Sequence, residues 1–233
     1  LGQLEFLGFG RWRALWWRPG GKFDLVTAQD PFETGFIAWR LARRLGVQLE
    51  LQIHTDIGSP YFRRHSVLNK IRFLVARFLL PRADHIRVVS SRIKDFLVKT
   101  WRLPPEKIEV RPIAVDTTAI KNAPITVDLH QKYPQFDKII LMASRLTREK
   151  NIGLAIEAMH ELIKARPRTG LIIVGSGPEE VNLKLKTKTY NLQTNVILES
   201  WGDQTTLFSY YKTADLFLQT SLYEGYGMAV VEA

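Results

Sequence analysis

The stretch KIILMASRLTREKNIGLAIEAMHELIKARPRTGLIIVGSGP, residues 138–178, carries the reading of the fold. Residues 138–143 form a short, almost wholly apolar run, as a strand buried on both faces does. Residues 151–165 repeat apolar side chains at helical spacing, and residues 170–174 form a second short apolar run that ends on Gly175. Strand, helix, strand within about forty residues is a βαβ unit, and such units build parallel sheets.

The same rhythm extends in both directions. Downstream, the pattern predicts a helix over 179–190, a strand over 195–199, a helix over 205–211, a strand over 214–220 and a helix starting near Gly227. Upstream, it predicts strands over 23–28, 49–54, 85–90 and 108–113, with helices over 32–45, 66–80 and 92–98. Residues 114–137 interrupt the alternation with Pro124, Pro134 and many polar side chains, and read as the crossing between two domains. The expectation is an α/β protein of two doubly wound, Rossmann-like domains, residues 1–120 and 121–233, with a cleft between them. Leu1 is not an initiator methionine, and the last residues, Val230-Val231-Glu232-Ala233, are apolar to the end, so the chain reads as cut at both ends.

With 233 residues and 45% hydrophobic content, the chain has enough apolar side chain for real cores. It has no cysteine, which favours a reducing compartment, and no uninterrupted apolar run long enough to span a bilayer. The expected location is the cytoplasm, including the inner face of a membrane. A net charge of +10 attracts polyanions, phosphorylated substrates and acidic lipid among them.

In open α/β sheets, ligands sit beyond the C-terminal ends of the strands. Three such ends carry unusual chemistry. The first is Ser144-Arg145-Leu146-Thr147-Arg148-Glu149-Lys150, where Arg145 and Lys150 are suited to a diphosphate: one brings a planar fork of donors, the other a mobile point charge. A solvated basic loop is the plain alternative. The second is Gly175-Ser176-Gly177-Pro178, where glycines allow close backbone approach and Pro178 suits the first turn of a helix. The third is Glu224-Gly225-Tyr226-Gly227-Met228, followed by Glu232 inside an apolar helix. Backbone amides at that helix start favour an anion. A carboxylate before the helix suits sugar hydroxyls, and one among apolar neighbours needs a reason.

These sites, in this order, resemble the GT-B retaining glycosyltransferases of family 4. Their pattern is an Arg…Lys pair, a Gly-x-Gly-Pro turn and Glu-x7-Glu, here Arg145…Lys150, Gly175…Pro178 and Glu224…Glu232. In the first half, residues 51–56 ending in His54-Thr55-Asp56, residues 84–90 and residues 109–116 resemble further family segments. The resemblance implies that Arg145 and Lys150 bind the diphosphate of a nucleotide-sugar donor. It further implies that Glu224 contacts the sugar, Glu232 the ribose, and the amides of Gly225, Tyr226, Gly227 and Met228 the sugar and phosphate. His54 would reach across the cleft to the sugar, and Gly175 and Gly177 would lie on the donor side. The catalytic set is then Glu224, His54, Arg145 and Lys150. The implied reaction retains anomeric configuration and uses no metal or cofactor, with a glycan or lipid-linked hydroxyl as acceptor and no nucleic acid. Where the family has Asn-Gly before Val-Asp, this chain has Ile113-Ala114. The family's glycine-rich loop would precede Leu1, and its last helices would follow Ala233.

Two other readings compete. A sugar-nucleotide epimerase or a phosphorylase uses the same two-domain plan. A non-enzymatic binder of nucleic acid or acidic lipid fits the charge but leaves Glu224 and Glu232 without a purpose.

Residues 61–82 are basic and apolar together. Arg63, Lys70 and Arg77 recur every seventh residue, and Val67, Ile71, Leu74 and Phe78 make an apolar stripe. Arg11-Trp12-Arg13 and Trp16-Trp17-Arg18 add aromatic–basic pairs. Two readings stand: docking on an anionic membrane, or a core helix with a solvated polar side.

Overall fold

A computed structural model describes residues 23–233. The aromatic–basic pairs at 11–13 and 16–18 lie outside the described residues. The chain divides into two compact units, one running to Pro112 and the other from Ile113 to Ala233.

In the first unit the elements are β1 (Leu25–Ala28), α1 (Glu33–Leu45), β2 (Gln48–Ile53), α2 (Pro60–His65), α3 (Val67–Leu79), β3 (His85–Val88), α4 (Ser91–Trp101) and β4 (Ile108–Val110). Local chemistry sets the helix ends. The Ser66 and Ser90 hydroxyls accept from the amides of Asn69 and Ile93, and α1 stops at Gly46, whose φ of 68° suits glycine. The four strands are parallel and lie in sequential order, β1-β2-β3-β4. Right-handed crossovers that all step one way put their helices on one face. That face holds the core: Leu49, Leu51, Ile53, Ile86 and Val88 pack beneath Ala38, Ala42, Ala76, Leu79, Ile93 and Leu97, all buried.

A sheet buried on both faces is the expectation, and the described part of this unit departs from it. The other face carries a polar ladder. Thr27 donates to Glu50 at 3.1 Å, Gln52 donates to both, and Arg87 donates to Gln52 at 3.3 Å. The order of the described strands does not reverse, so no helix among them is directed to that face.

The second unit holds α5 (Thr117–Asn122), α6 (Leu129–Lys132), β5 (Lys138–Ala143), α7 (Ile152–Ala165), β6 (Thr169–Val174), α8 (Glu180–Thr189), β7 (Val196–Glu199), α9 (Gln204–Thr213), β8 (Leu216–Phe217) and α10 (Met228–Glu232). Its parallel sheet runs β7-β6-β5-β8, so the strand order reverses between β5 and β8. Alternating side chains feed two cores. Met142, Leu171 and Ile173 pack with Ile152, Ile156, Met159 and Leu183 on one side. Ile139, Leu141, Ile172 and Val174 pack with Leu207, Tyr210, Leu129 and Phe136 on the other. This half is doubly wound, and β6 is buried along its whole length.

Two segments differ from the sequence pattern. Residues 114–137 contain two short helices and are fastened to α9: Thr126 N–H donates to Ser209 Oγ at 2.9 Å, Leu129 N–H to Thr213 Oγ1, and Lys212 Nζ to the carbonyl of Lys121 at 2.8 Å. The strand expected over 214–220 pairs only at Leu216–Phe217. Beyond it the backbone turns to bond the loop that follows β5.

Candidate active site

The reversal of strand order between β5 and β8 opens the sheet where two outgoing loops part, the place where such folds hold ligands. Here the two loops are bound to each other. Thr220 Oγ1 donates to the carbonyls of Lys150 and Asn151, both at 3.0 Å, and Leu222 N–H donates to the Glu149 carbonyl at 2.8 Å. The β5 loop ends in a single 3₁₀ turn, Arg148–Lys150, closed by Asn151 in the left-handed region.

This arrangement brings Lys150 and Glu224 together. Lys150 Nζ lies 2.5 Å from Glu224 Oε1, with side chains 17% and 26% exposed. The same carboxylate oxygen accepts from Ser221 Oγ at 2.8 Å and Gln219 Nε2 at 3.0 Å. Ion pair and neutral donors together hold the carboxylate in one orientation, as a site that must align a substrate hydroxyl requires.

Arg145 sits on the same loop but faces solvent, 76% exposed and 3.5 Å from Glu149 Oε1. Glu149 also accepts from Thr147 Oγ1 at 2.7 Å, which fixes the loop's bend.

Gly175 and Gly177 have a use within the fold. A Cβ on Gly175 would stand 1.9 Å from the Ser144 carbonyl oxygen, and one on Gly177 would stand 2.4 Å from that of Leu146. Their bareness lets the β6 loop lie against the β5 loop, where Leu146 N–H donates to the Ser176 carbonyl at 2.9 Å. The Gly175 amide is engaged by the Glu199 carbonyl at 2.9 Å.

Gly225 is buried, and Gly227 caps α10 with φ 81°. Tyr226 is half-buried and Met228 is 39% exposed. Glu232, on α10, accepts from the hydroxyl of buried Tyr211 at 3.1 Å. Burial first, and the Glu232 charge second, push the Tyr211 phenol up. Tyr211 is thus a partner within the protein for a carboxylate on an apolar helix.

His54 follows β2 in the first unit, half-buried, with Nε2 3.2 Å from Gln52 Oε1. Burial, then the Arg87 guanidinium, lower its pKa, so the neutral imidazole prevails at pH 7. It belongs to a different unit from the Lys150–Glu224 pair.

Sequence reasoning missed Gln219 and Ser221, although a polar run between a strand and Glu224 is a visible signal. It also missed Glu199 at the end of β7. That carboxylate accepts from Lys132 Nζ at 2.7 Å, from Tyr210 OH at 2.6 Å and from Tyr133 OH. Burial opposes its ionisation, but the bonds from Lys132, Tyr133 and Tyr210 prevail and hold its pKa low. Tyr133, partly buried and bonded to this charge, is pushed up to about 12. No sequence motif links residues 132, 133, 199 and 210.

Two Rossmann-like units, each built on a parallel sheet, with a charged constellation at the switch point of the second, are the GT-B class of fold. The chain belongs to glycosyltransferase family 4: residues 3–119 match the family described as Glycosyltransferase Family 4, and residues 129–233 match Glycosyl transferases group 1. It is 25% identical over 222 residues to alpha-monoglucosyldiacylglycerol synthase of Streptococcus pneumoniae, covering 91% of this chain and 50% of that protein. It is 27% identical over 220 residues to the UDP-Gal:alpha-D-GlcNAc-diphosphoundecaprenol alpha-1,3-galactosyltransferase of Escherichia coli, covering 91% and 55%. Among solved structures, Anabaena Alr3699/HepE in complex with UDP and glucose superposes with a TM-score of 0.75 at 20% identity, over 91% of this chain and 56% of that one. The chain thus spans about half the length of the relatives it matches. Among the described residues no helix is long and apolar enough to cross a membrane.

Proposed function

We propose that this chain carries the donor site of a retaining glycosyltransferase that moves a sugar from a nucleoside diphosphate to a hydroxyl acceptor. The observation that supports the reading is the Lys150–Glu224 pair at the strand-order reversal, a cation and a fixed carboxylate side by side at the kind of position where open α/β sheets bind ligands.

Breaking the bond between sugar and β-phosphate leaves negative charge on the diphosphate. On this reading the Lys150 ammonium and the Arg145 guanidinium receive it. A cation about 4 Å from that charge contributes on the order of 4 kcal/mol at an effective dielectric of 20. The gain is greatest in the transition state, where the charge develops. Arg145, exposed and weakly held by Glu149, is free to turn toward the phosphates. Lys150 exchanges part of its contact with Glu224 for a phosphate oxygen. Glu224, kept in place by Ser221 and Gln219, accepts from sugar hydroxyls and orients the ring. The acceptor hydroxyl attacks from the face the diphosphate leaves, its proton passes to the departing β-phosphate oxygen, and configuration is retained. The two cations supply the charge that a metal would otherwise bring, so this reading needs no metal.

Glu232 and the amides of Gly225–Met228 complete the donor contacts. Gly175 and Gly177 shape the loop that carries Arg145 and Lys150. His54, neutral at pH 7, is suited to a hydrogen bond with a sugar hydroxyl. Similarity to relatives whose names carry diacylglycerol and diphosphoundecaprenol supports a lipid-borne hydroxyl as acceptor.

The test is nucleoside diphosphate release from a panel of nucleotide sugars offered with lipid and glycan acceptors. Acceptor-dependent release that fails in Lys150→Ala supports the reading. Release of sugar phosphate on adding inorganic phosphate, or full activity in Lys150→Ala, rejects it.

A further inference from the structure

Helix α3 is turned the opposite way from an ordinary amphipathic helix. Its buried residues are Asn69, Ala76 and Leu79. Val67, Ile71, Leu74 and Phe78 share the opposite side, 72%, 53%, 64% and 41% exposed. The side toward solvent is therefore more apolar than the side toward the sheet. Single exposed apolar residues are ordinary, but a contiguous row marks a contact surface. The row runs along about 16 Å of helix. Helix α1 widens it: Phe36 is 40% and Ile37 36% exposed, and Trp39 meets Phe78 edge-on at 5.5 Å.

The charge along the segment that carries this row has one sign. From Pro60 to Arg82 there are Arg63, Arg64, Lys70, Arg72, Arg77 and Arg82, and no Asp or Glu. Arg72 turns aside to Glu33, at 2.9 Å. Lys70 and Arg77 flank the row. Arg82 lies over the Phe78 ring at 3.7 Å and Arg43 over Trp39 at 5.4 Å. These two arginines stand at the rim of a recess also lined by Gly46, Val47 and Asp84. The Asp84 carboxylate accepts from Leu49 N–H at 2.8 Å.

We propose that the α1–α3 face of the first unit docks on an anionic phospholipid surface. Val67, Ile71, Leu74 and Phe78 enter the boundary between headgroups and acyl chains, while Lys70, Arg77, Arg82 and Arg43 meet lipid phosphates. Charge complementarity selects this occupant. A second copy of the chain would bring cation against cation, and a nucleic acid would leave the apolar row uncovered. Vesicle binding reports this docking independently of sugar transfer.

The chain contains no cysteine, so Leu74→Cys creates one labelling site for an environment-sensitive dye. Vesicles of phosphatidylcholine alone are compared with vesicles that are about one-third phosphatidylglycerol, rich enough to carry a negative surface potential. The unlabelled chain sediments with the anionic vesicles only, and added salt releases it. The dye at Leu74→Cys shifts to the blue on them, while the same dye at Lys184→Cys, an exposed position on α8 of the second unit, does not. Lys70→Gln with Arg77→Gln weakens binding about twenty-fivefold, at roughly fivefold per charge. Ile71→Gln with Leu74→Gln weakens it at least about tenfold without lowering the unfolding midpoint, since both sites are exposed. Equal binding to neutral vesicles, no binding by the unlabelled chain, or a dimer that the Ile71 and Leu74 changes dissolve would each overturn the proposal.

Discussion

Lys150 Nζ and Glu224 Oε1 meet at 2.5 Å although 74 residues separate them in the chain. Each lies on the loop that leaves one of two neighbouring strands, β5 and β8, which enter the sheet in opposite halves of its winding. The pair ties the two loops together at the point where the sheet divides. It also predisposes the site: the carboxylate is already oriented, and the ammonium is already partly withdrawn from water.

Replacing either member separates their roles. Lys150→Ala is expected to weaken nucleoside diphosphate binding and to lower turnover about a hundredfold or more. Glu224→Gln is expected to lower turnover by a similar factor and to leave nucleoside diphosphate affinity within a few-fold, because on the proposed reading it bonds the sugar and not the diphosphate. Titration calorimetry with the diphosphate, beside diphosphate-release kinetics, distinguishes the two. Circular dichroism should show both variants folded.

The glycine turn is a packing requirement before it is anything else. Gly175→Ala places a methyl group 1.9 Å from the Ser144 carbonyl oxygen, and backbone must move to admit it. A loss of about 2–4 kcal/mol is expected by urea unfolding. Gly46→Ala, with nothing within 4 Å of the added Cβ but φ at 68°, should cost only about 1 kcal/mol. Equal costs would show that the β5 and β6 loops do not press together.

The Glu199 hub predicts a pH-dependent contribution to stability. Its folded pKa lies below the ordinary 4.5, despite burial, because Lys132, Tyr133 and Tyr210 bond the carboxylate. A lowered acid contributes fully above its unfolded pKa and loses that contribution as pH falls through the folded one. Glu199→Gln should therefore cost about 1–3 kcal/mol at pH 7. The gap between it and the parent should narrow below pH 4.5 in urea titrations.

His54 behaves with the same sign for a different reason. Burial and Arg87 disfavour its charged form, so the folded pKa lies below 6.5. Between that value and 6.5 the unfolded chain binds more proton, and stability falls as pH falls. His54→Gln removes this dependence, so its stability curve should be flatter just below pH 6.5. An NMR titration of the His54 ring with a midpoint at or above 6.5 would contradict the burial argument.

The strands and helices were legible wherever apolar periodicity was unambiguous: β5 has the expected bounds, and α1, α7 and α8 fall within a residue of theirs. The apolar pattern over 214–220 is longer than the strand that forms, which pairs only at Leu216–Phe217. Its apolar run is long enough to pair, but beyond Leu218 the Thr220 hydroxyl and the Leu222 N–H donate to carbonyls of the β5 loop instead. The two short helices in 114–137 are not legible because prolines and polar residues interrupt a segment that buries only scattered apolar side chains, Ile120, Leu129 and Phe136 among them. Arg145, Lys150, Glu224 and Glu232 stood out in the sequence as charges after strands or among apolar neighbours. Gln219, Ser221 and Tyr211 did not, since their importance lies in partners distant along the chain or in an acceptor that only folding positions.

By itself the sequence determined two runs of alternating strand and helix, parallel sheets, and which strand ends carry charge. Those are properties of side-chain period and composition over ten or fifteen residues, and neighbours in the chain suffice to set them. Only the tertiary structure decided that β8 lies beside β5 and so brings Lys150 to Glu224, that Tyr211 faces Glu232, and that the apolar row of α3 looks outward. Each of those depends on which distant element arrives alongside. An apolar stripe is the same pattern of letters whether a sheet covers it or water does.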